Sequence, residues 1–364
     1  MTRTRLRDLG IRIGRLPSGP LNAITDVEDV WVGHSTVIHD APRVARTGVT
    51  VIRPRAGEIF RDHCFAGYHS FNGNGEMTGL LWVKESGELG TPIAITNTHQ
   101  VGVVRDTLVE VECSAHPDAR WLLPVVAETY DGWLNDIDAF HVTREHVLSA
   151  LANAAPGPVA EGCVGGGTGM ICHEFKGGIG TSSRLATIGE RQFTVGVLVQ
   201  ANYGVREDLR LNGAPVGEWM PTTDIPGVYR NPAPGAGSII VVIATDAPLL
   251  PNQCTRLAQR ATVGLSRVGG VGHNGSGDIF LAFSTGNHLP EDGTAWPSLT
   301  MTPNQAMTPL FYATVEAVEE AIWNALCAAE TTIGQQNRTV YAIDLQQLQA
   351  MMNRNSERGN HDEA

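Results

Sequence analysis

The run Ile239–Ile243 constrains the fold of this chain more than any other segment, because it contains five consecutive β-branched residues. A strand with one face in solvent alternates apolar and polar residues, whereas an unbroken apolar run predicts a strand covered on both faces. The run follows directly after Gly237 and Ser238, which end a Pro/Gly-rich stretch that starts at Pro232. The sequence therefore predicts a rigid internal strand that starts at Ser238 and is fed by a linker.

Shorter apolar runs predict the other elements of the fold. Strands are predicted at Val30–Val37, Val49–Ile52, Ile93–Thr96 and Phe193–Ala201, with a weaker candidate at Val340–Ile343. Helices are predicted at Asn252–Arg267, at Pro309–Glu330 with a single apolar stripe, and from the N-cap Thr143 to Ala152. This mixture predicts α+β or α/β packing, in one domain over residues 1–364 with a frayed polar tail at 355–364.

The composition excludes several classes of function. The chain has 364 residues, and its net charge of −12 without a basic stripe argues against a nucleic-acid partner. The sequence shows no signal peptide and no membrane span, so we expect a cytoplasmic protein that does not contact a membrane. The six cysteines form no CxxC pair, and His173 lacks the i, i+4 partner of a zinc protease, so no metal is expected. The glycine patterns that bind phosphate or a dinucleotide are absent, so no cofactor is expected.

The junction between Gly237 and Ser238 has the residues that a self-cleaving precursor needs. Gly237 has no Cβ that would block attack on its carbonyl group, and the linker could strain the bond. After cleavage, Ser238 would carry a free α-amine with a pKa of about 7.7–8.0 beside its hydroxyl, which makes the amine a usable base. The alternative is an ordinary connection from a loop to a strand, and the junction alone favours that structural interpretation.

A second candidate constellation is Asn274-Gly-Ser-Gly-Asp278. In an extended segment the side chains of Ser276 and Asp278 lie on one face, where a hydroxyl and a carboxylate could orient a nucleophile and balance its proton. The alternative is an Asx-type turn that leads into a strand at Ile279–Phe283, since Asn-Gly and Ser-Gly are frequent turn pairs.

Five motifs together resemble the L-aminopeptidase D-amidase/D-esterase family, whose relatives include the β-peptidyl aminopeptidases; they lie at residues 72–79, 96–99, 164–183, 237–251 and 274–283. The similarity runs in the same order from about Thr4 to Asp344. It implies an αββα four-layer sandwich, of the type shared with the ornithine acetyltransferase group. It also implies a precursor that cuts itself into fragments 1–237 and 238–364, which stay associated as a heterodimer. Four such heterodimers are expected to assemble into a homo-oligomer.

The resemblance also implies roles for particular residues. Ser238 matches the nucleophile and new N-terminus of the family, and Ser276 and Asp278 match its supporting hydroxyl and carboxylate. Asn202 matches the asparagine of the oxyanion hole. An asparagine side chain suits this role because it is a neutral hydrogen-bond donor that does not titrate.

Two further residues match on a shorter stretch of sequence. Tyr130 matches a tyrosine that lines the site, and Glu128 matches the carboxylate that holds the free amine of the substrate. A partly buried carboxylate binds an ammonium group by a charge-assisted hydrogen bond. The alternatives are a packing role for Tyr130 and a position on the surface of a helix over 127–133 for Glu128.

The resulting hypothesis is a self-processing hydrolase with an N-terminal serine nucleophile. It would release N-terminal residues from small peptides, amino-acid amides or esters through an acyl-enzyme. One alternative is an acyltransferase of the same fold, which passes the acyl group to an amine instead of water. The other is an unprocessed binding or assembly protein without enzymatic activity.

Overall fold

The protein is described from a computed structural model that covers residues 3–56, 59–119, 121–228, 237–291 and 296–362. Its strands are β1 (Trp31–His39), β2 (Ala45–Arg53), β3 (Asp62–Ser70), β4 (Glu88–Leu89), β5 (Ile93–Asn97), β6 (Val125–Thr129), β7 (Ile171–Cys172), β8 (Phe175–Lys176), β9 (Gly178–Ile188), β10 (Arg191–Asn202), β11 (Gly237–Thr245), β12 (Ser276–Pro290), β13 (Thr332–Ile333) and β14 (Thr339–Val340). Its α-helices are α1 (Leu80–Ser86), α2 (Val101–Ala115), α3 (Arg144–Ala152), α4 (Val216–Trp219), α5 (Pro251–Arg267), α6 (Thr308–Ala328) and α7 (Leu345–Asp362).

Two sheets stack face to face between two helical layers. The first sheet has four strands in the order β1-β2-β5-β6, and the second has six in the order β4-β3-β12-β11-β10-β9. Apolar side chains fill three spaces: between the second sheet and helices α5 and α6, between the two sheets, and between the first sheet and helices α2 and α3. The order of layers is therefore helix, sheet, sheet, helix, which confirms the αββα sandwich.

The β-branched run at the start of β11 lies at the centre of the second sheet, as its composition predicts. The side chains of Ile239, Val241 and Ile243 pack towards α5 and α6, and those of Ile240 and Val242 pack towards the first sheet. All five are fully buried. Because successive side chains of a strand point to opposite faces, an internal strand of a four-layer fold needs apolar residues at every position.

Helix α6 is buried more completely than the predicted single apolar stripe allows. Its polar side chains Glu316, Glu319 and Glu320 are also buried, at no more than 4% exposed. Arg184 of β9 pairs with Glu316 at 3.3 Å and with Glu320 at 2.5 Å. Buried carboxylates of this kind are tolerated because guanidinium groups and hydrogen bonds replace their hydration.

Two predicted segments differ in their outcome. The sequence predicts a frayed tail at 355–364, whereas α7 continues to Asp362 and so includes most of that segment. The predicted linker that precedes Gly237, residues 232–236, lies outside the described residues. None of the helices in the described part of the chain is both long and apolar enough to cross a membrane.

Candidate active site

Ser238 is held at the start of β11 by neighbours on both sides. It pairs with Asn202 across the antiparallel partner β10 and with Gly277 across the parallel partner β12. The backbone N–H of Gly277 donates to Ser238 Oγ at 3.3 Å, and the serine is 5% exposed. A Cβ at Gly237 would overlap the carbonyl oxygen of Asn202, so only glycine fits the position before the serine without a shift of the backbone.

Ser276 and Asp278 form a hydrogen-bonded pair at the start of β12. Ser276 Oγ donates to Asp278 Oδ1 at 2.6 Å, and the backbone N–H of Ile239 donates to the same oxygen at 3.2 Å. Burial raises the pKa of Asp278, and the hydrogen bonds from Ser276 and Ile239 partly oppose that rise. The two side chains therefore share a face, and the Asp278 carboxylate contacts the backbone of β11 one residue beyond Ser238 rather than the Ser238 hydroxyl.

The glycine-rich loop that follows β3 fixes the start of β12. Asn72 Oδ1 accepts a hydrogen bond from the Asp278 N–H at 2.7 Å, and Asn72 Nδ2 donates to the carbonyl of His273 at 3.0 Å. Asn74 Nδ2 donates to the carbonyl of Gly275 at 2.8 Å. Sequence reasoning did not assign roles to these two asparagines. Their side-chain amides, in a glycine-rich loop where backbone groups lack strand partners, were the available signal.

Asn202 has a single defined orientation at the end of β10. Its Oδ1 accepts from the Ile171 N–H at 2.8 Å, and its Nδ2 donates to the Tyr130 carbonyl at 3.0 Å. A backbone N–H can only donate and a carbonyl can only accept, so the amide cannot be reversed without losing both bonds. One hydrogen of Nδ2 remains for a further acceptor in the cavity that Asn202 lines.

Glu128 lies on strand β6, not on a helix, and is 3% exposed. Its Oε1 accepts from the Glu76 N–H at 2.9 Å, and its Oε2 accepts from the hydroxyl of Thr98. Burial raises the pKa of Glu128; the hydrogen bonds from Thr98 and Glu76 oppose this, and the charge of Glu76 adds to it. The carboxylate is thus fixed in place with lone pairs left for a cation.

Tyr130 follows β6 directly, and 51% of it is exposed. Its ring stands against Gly132, where a Cβ would overlap the ring. Partial burial raises the pKa of the Tyr130 phenol. With half of its surface exposed, Tyr130 buries too little area for a role in core packing. Its side chain instead forms part of the wall of a cavity.

One cavity of ≈ 560 Å³ brings most of the predicted site residues together. Its lining includes Ser238, Gly237, Asn202, Glu128 and Tyr130, along with Glu76, Thr98, Trp133 and Ile171. Ser276 and Asp278 are not part of this lining and support it from behind. Sequence reasoning missed Ile171 and Trp133, because Ile171 belongs to a strand of only two residues and Trp133 lies in a turn, so neither is part of a periodic apolar pattern.

A second cavity, of ≈ 490 Å³, lies beside Trp82 and Trp121 and contains none of the predicted site residues. The chemistry therefore points to the cavity at Ser238. Within the described ranges, no group of three or more His, Cys, Asp or Glu side chains is arranged to hold a metal ion.

The chain is similar in sequence and fold to known proteins over almost their whole length. The family model described as Peptidase family S58 matches residues 22–340. A β-peptidyl aminopeptidase of Sphingosinicella microcystinivorans is 47% identical, over 96% of this chain and 91% of the relative. The structure of a β-aminopeptidase of Burkholderia sp. is 54% identical with a TM-score of 0.88, covering 95% of this chain and 97% of that one. The structure of the L-aminopeptidase D-Ala-esterase/amidase of Ochrobactrum anthropi, described as a variant of the Ntn hydrolase fold, is 44% identical with a TM-score of 0.89, covering 97% and 99%.

Proposed function

Because this chain belongs to peptidase family S58 and is a serine aminopeptidase, we propose that Ser238 is its nucleophile and that it is exposed by cleavage of the bond after Gly237. The observation that carries the proposal is the position of Ser238. It lies at the start of a rigid central strand and lines the cavity, and it is paired with Asn202 on one neighbouring strand and with Gly277 on the other. The resulting fragments would be residues 1–237 and 238–364.

In the proposed cleavage, Ser238 Oγ attacks the carbonyl carbon of Gly237, and the C–N bond to Ser238 breaks. The acyl group moves to Oγ as an ester and the released nitrogen takes up the proton of the hydroxyl. Water then hydrolyses the ester, which leaves the carboxylate of Gly237 and a free α-amine on Ser238. The absence of a side chain at Gly237 keeps its carbonyl open to this attack.

In turnover, the free α-amine takes the proton from Oγ as Oγ bonds to the substrate carbonyl carbon. The oxyanion accepts a hydrogen bond from the remaining N–H of Asn202, and this bond stabilises the tetrahedral intermediate. Collapse expels the leaving amine, which receives the proton, and leaves an acyl-enzyme at Ser238. Water, deprotonated by the same amine, then releases the acid. Asp278, next to the start of β11, would balance the positive charge that the amine acquires.

Glu128 is proposed to bind the ammonium group of the substrate, since it is a buried carboxylate on the wall that also holds Ser238. The names of two relatives refer to β-peptidyl or β-amino substrates. We therefore propose that N-terminal β-amino acids are accepted in addition to α-amino acids. Turnover of both β-homoalanine p-nitroanilide and alanine p-nitroanilide would support this, whereas turnover of the alanine compound alone would refute the acceptance of β-amino acids and leave the aminopeptidase assignment.

Assembly and location are also proposed. The resemblance supports a tetramer of α/β heterodimers, which light scattering of the purified protein would test. All six cysteines are free thiols, four of them buried, which supports a reducing compartment such as the cytoplasm. Cell fractionation would test the location.

The experiment that tests the nucleophile compares the wild type with Ser238→Ala and with the surface control Ser266→Ala by intact mass and N-terminal sequencing. We expect the wild type and the control to give fragments of roughly 25 and 14 kDa, in proportion to their lengths, the smaller beginning Ser-Ile-Ile-Val. Ser238→Ala should remain one inactive chain near 39.0 kDa. Normal cleavage in Ser238→Ala would overturn the proposal.

A further inference from the structure

Asp131 is a buried carboxyl group beside the active site that the proposed chemistry does not use. It follows Tyr130 directly and is 1% exposed. Its Oδ1 accepts from Asn135 Nδ2 at 3.1 Å, and its carbonyl accepts the N–H groups of Leu134 and Asn135 at 3.1 and 3.0 Å. The side chain and backbone of Asp131 therefore close the turn over residues 131–135.

This turn is fastened to three other parts of the fold. Asn135 Oδ1 accepts the backbone N–H of Arg46 on β2 at 3.0 Å. Gln335 Nε2, from the C-terminal part of the chain, donates to the carbonyls of Gly132 and Asn135 at 2.6 and 2.9 Å. Gly169 packs directly on the Asp131 side chain, because a Cβ there would come within 2.8 Å of the Asp131 Cβ. A rigid turn with several anchors is what precise positioning of a neighbouring group requires.

The group that this turn positions is the carbonyl of Tyr130. That carbonyl belongs to the peptide unit joining Tyr130 to Asp131, and it holds Asn202 Nδ2 at 3.0 Å. The Asn202 amide is planar, so a rotation that follows a displaced carbonyl also turns its second N–H away from the oxyanion. Small displacements of catalytic groups, of the order of 1 Å, can cost about 100-fold in rate.

We propose that Asp131 is a positioning residue for the oxyanion hole: it fixes the Tyr130 carbonyl, which in turn aims the free N–H of Asn202. The proposal rests on the proposed function, in which Asn202 stabilises the oxyanion. The role is one of geometry, because a negative charge near a developing oxyanion opposes the reaction. Asparagine at this position keeps the Oδ1 acceptor for Asn135 and removes the charge, so it should rescue the function that alanine loses.

The test is a double-mutant cycle on the processed enzyme, with active sites counted by the burst from an activated ester. Asp131→Ala should lower kcat about 10- to 100-fold with a much smaller change in KM, and Asp131→Asn should restore most of this loss. In an Asn202→Ala background, Asp131→Ala should have almost no further effect. The control Asp136→Asn, which breaks an exposed pair with Arg43, should have the same small effect in both backgrounds.

Equal fold-losses from Asp131→Ala in the two backgrounds would overturn the proposal, as would a loss seen only in KM. If Asn202→Ala is not processed, the carbonyl stretching frequency of the acyl-enzyme formed by Asp131→Ala becomes the readout. If Asp131→Ala does not fold, Asn135→Ala replaces it with the same readout. A weakened oxyanion hole raises that frequency, and an unchanged frequency would refute the positioning role. The single variant Asn202→Ala separates this outcome from a failure of the proposed function. An unchanged kcat in Asn202→Ala would overturn the proposed oxyanion hole itself, whereas a loss in Asn202→Ala without a loss in Asp131→Ala would overturn only the positioning role.

Discussion

Replacing Glu128 by glutamine isolates the charge that we expect to bind the substrate amine. The amide oxygen of glutamine can accept from the Glu76 N–H, and its nitrogen can donate to the Thr98 hydroxyl oxygen, so both hydrogen bonds of the carboxylate have replacements. The wall of the cavity should therefore keep its shape. What is lost is the negative charge opposite an ammonium group.

The size of the effect follows from the environment of Glu128. The side chain is 3% exposed. A hydrogen bond between it and an ammonium group involves charged partners, and such bonds contribute about 1.5–3 kcal/mol of net binding free energy. One factor of ten corresponds to about 1.36 kcal/mol, so Glu128→Gln should lower kcat/KM for a substrate with a free amine about 10- to 150-fold. Because burial opposes ionisation of the carboxylate, the loss should lie nearer the lower value.

The assay compares two esters that differ only at this group: the p-nitrophenyl esters of alanine and of lactic acid, in which a hydroxyl replaces the ammonium. Glu128→Gln should reduce kcat/KM for the alanine ester and leave the lactate ester almost unchanged. Glu145→Gln, an exposed glutamate of α3, serves as the control and should affect neither. An equal loss for both esters would refute the reasoning, since it would place the role of Glu128 in the architecture of the site rather than in amine binding.

Three further outcomes follow from the geometry. Glu76→Gln should move the acid limb of the pH profile of kcat/KM to lower pH. The reason is that the charge of Glu76 raises the pKa of Glu128, and Glu128 must be ionised to bind an amine. An acid limb that stays at the same pH would contradict this. Burial raises the pKa of Asp131 from 3.8 to about 7. Between pH 3.8 and about 7 the folded protein therefore holds a proton that the unfolded chain releases, so the free energy of unfolding falls as the pH rises through this range. Urea unfolding at pH 5 and 8 should show that fall in the wild type, and a smaller one in Asp131→Asn; parallel curves would count against it. Gly237→Ala should block processing on a gel, because its Cβ would overlap the Asn202 carbonyl, and unimpaired cleavage would show that the strand ends can move apart.

The part of the fold that could be predicted is the part in which apolar residues alone determine the structure. Strand β11 was recognised because every side chain is apolar. Strand β9 was not, although Thr181, Ser182, Ser183 and Arg184 are all buried. Their polar groups find partners far away in the sequence: Ser182 Oγ donates to the carbonyl of Ala317 on α6 at 2.5 Å. Such a strand has no hydrophobic period, so the single sequence offers no pattern from which to predict it.

The candidate site shows the same division. The pair of Ser276 and Asp278 could be predicted because two residues of one strand, two positions apart, must share a face. Asn202, the proposed oxyanion donor, was matched by resemblance, but its partners Ile171 and Tyr130 lie 31 and 72 positions away. Only the fold brings these segments together, and neither separation corresponds to a local pattern.

The place of β11 and β12 in the second sheet has a consequence for the cut protein as a physical system. These two strands lie side by side between β3 and β10, so the C-terminal fragment would be inserted into the middle of a sheet whose flanks belong to the N-terminal fragment. Neither fragment alone could complete that sheet, and each would expose unpaired strand edges. Before the cut, folding is independent of protein concentration; afterwards, unfolding separates two molecules and refolding requires their collision. The mature enzyme would then melt at a temperature that rises with its own concentration, and dilution would favour its loss in a way that the precursor does not experience.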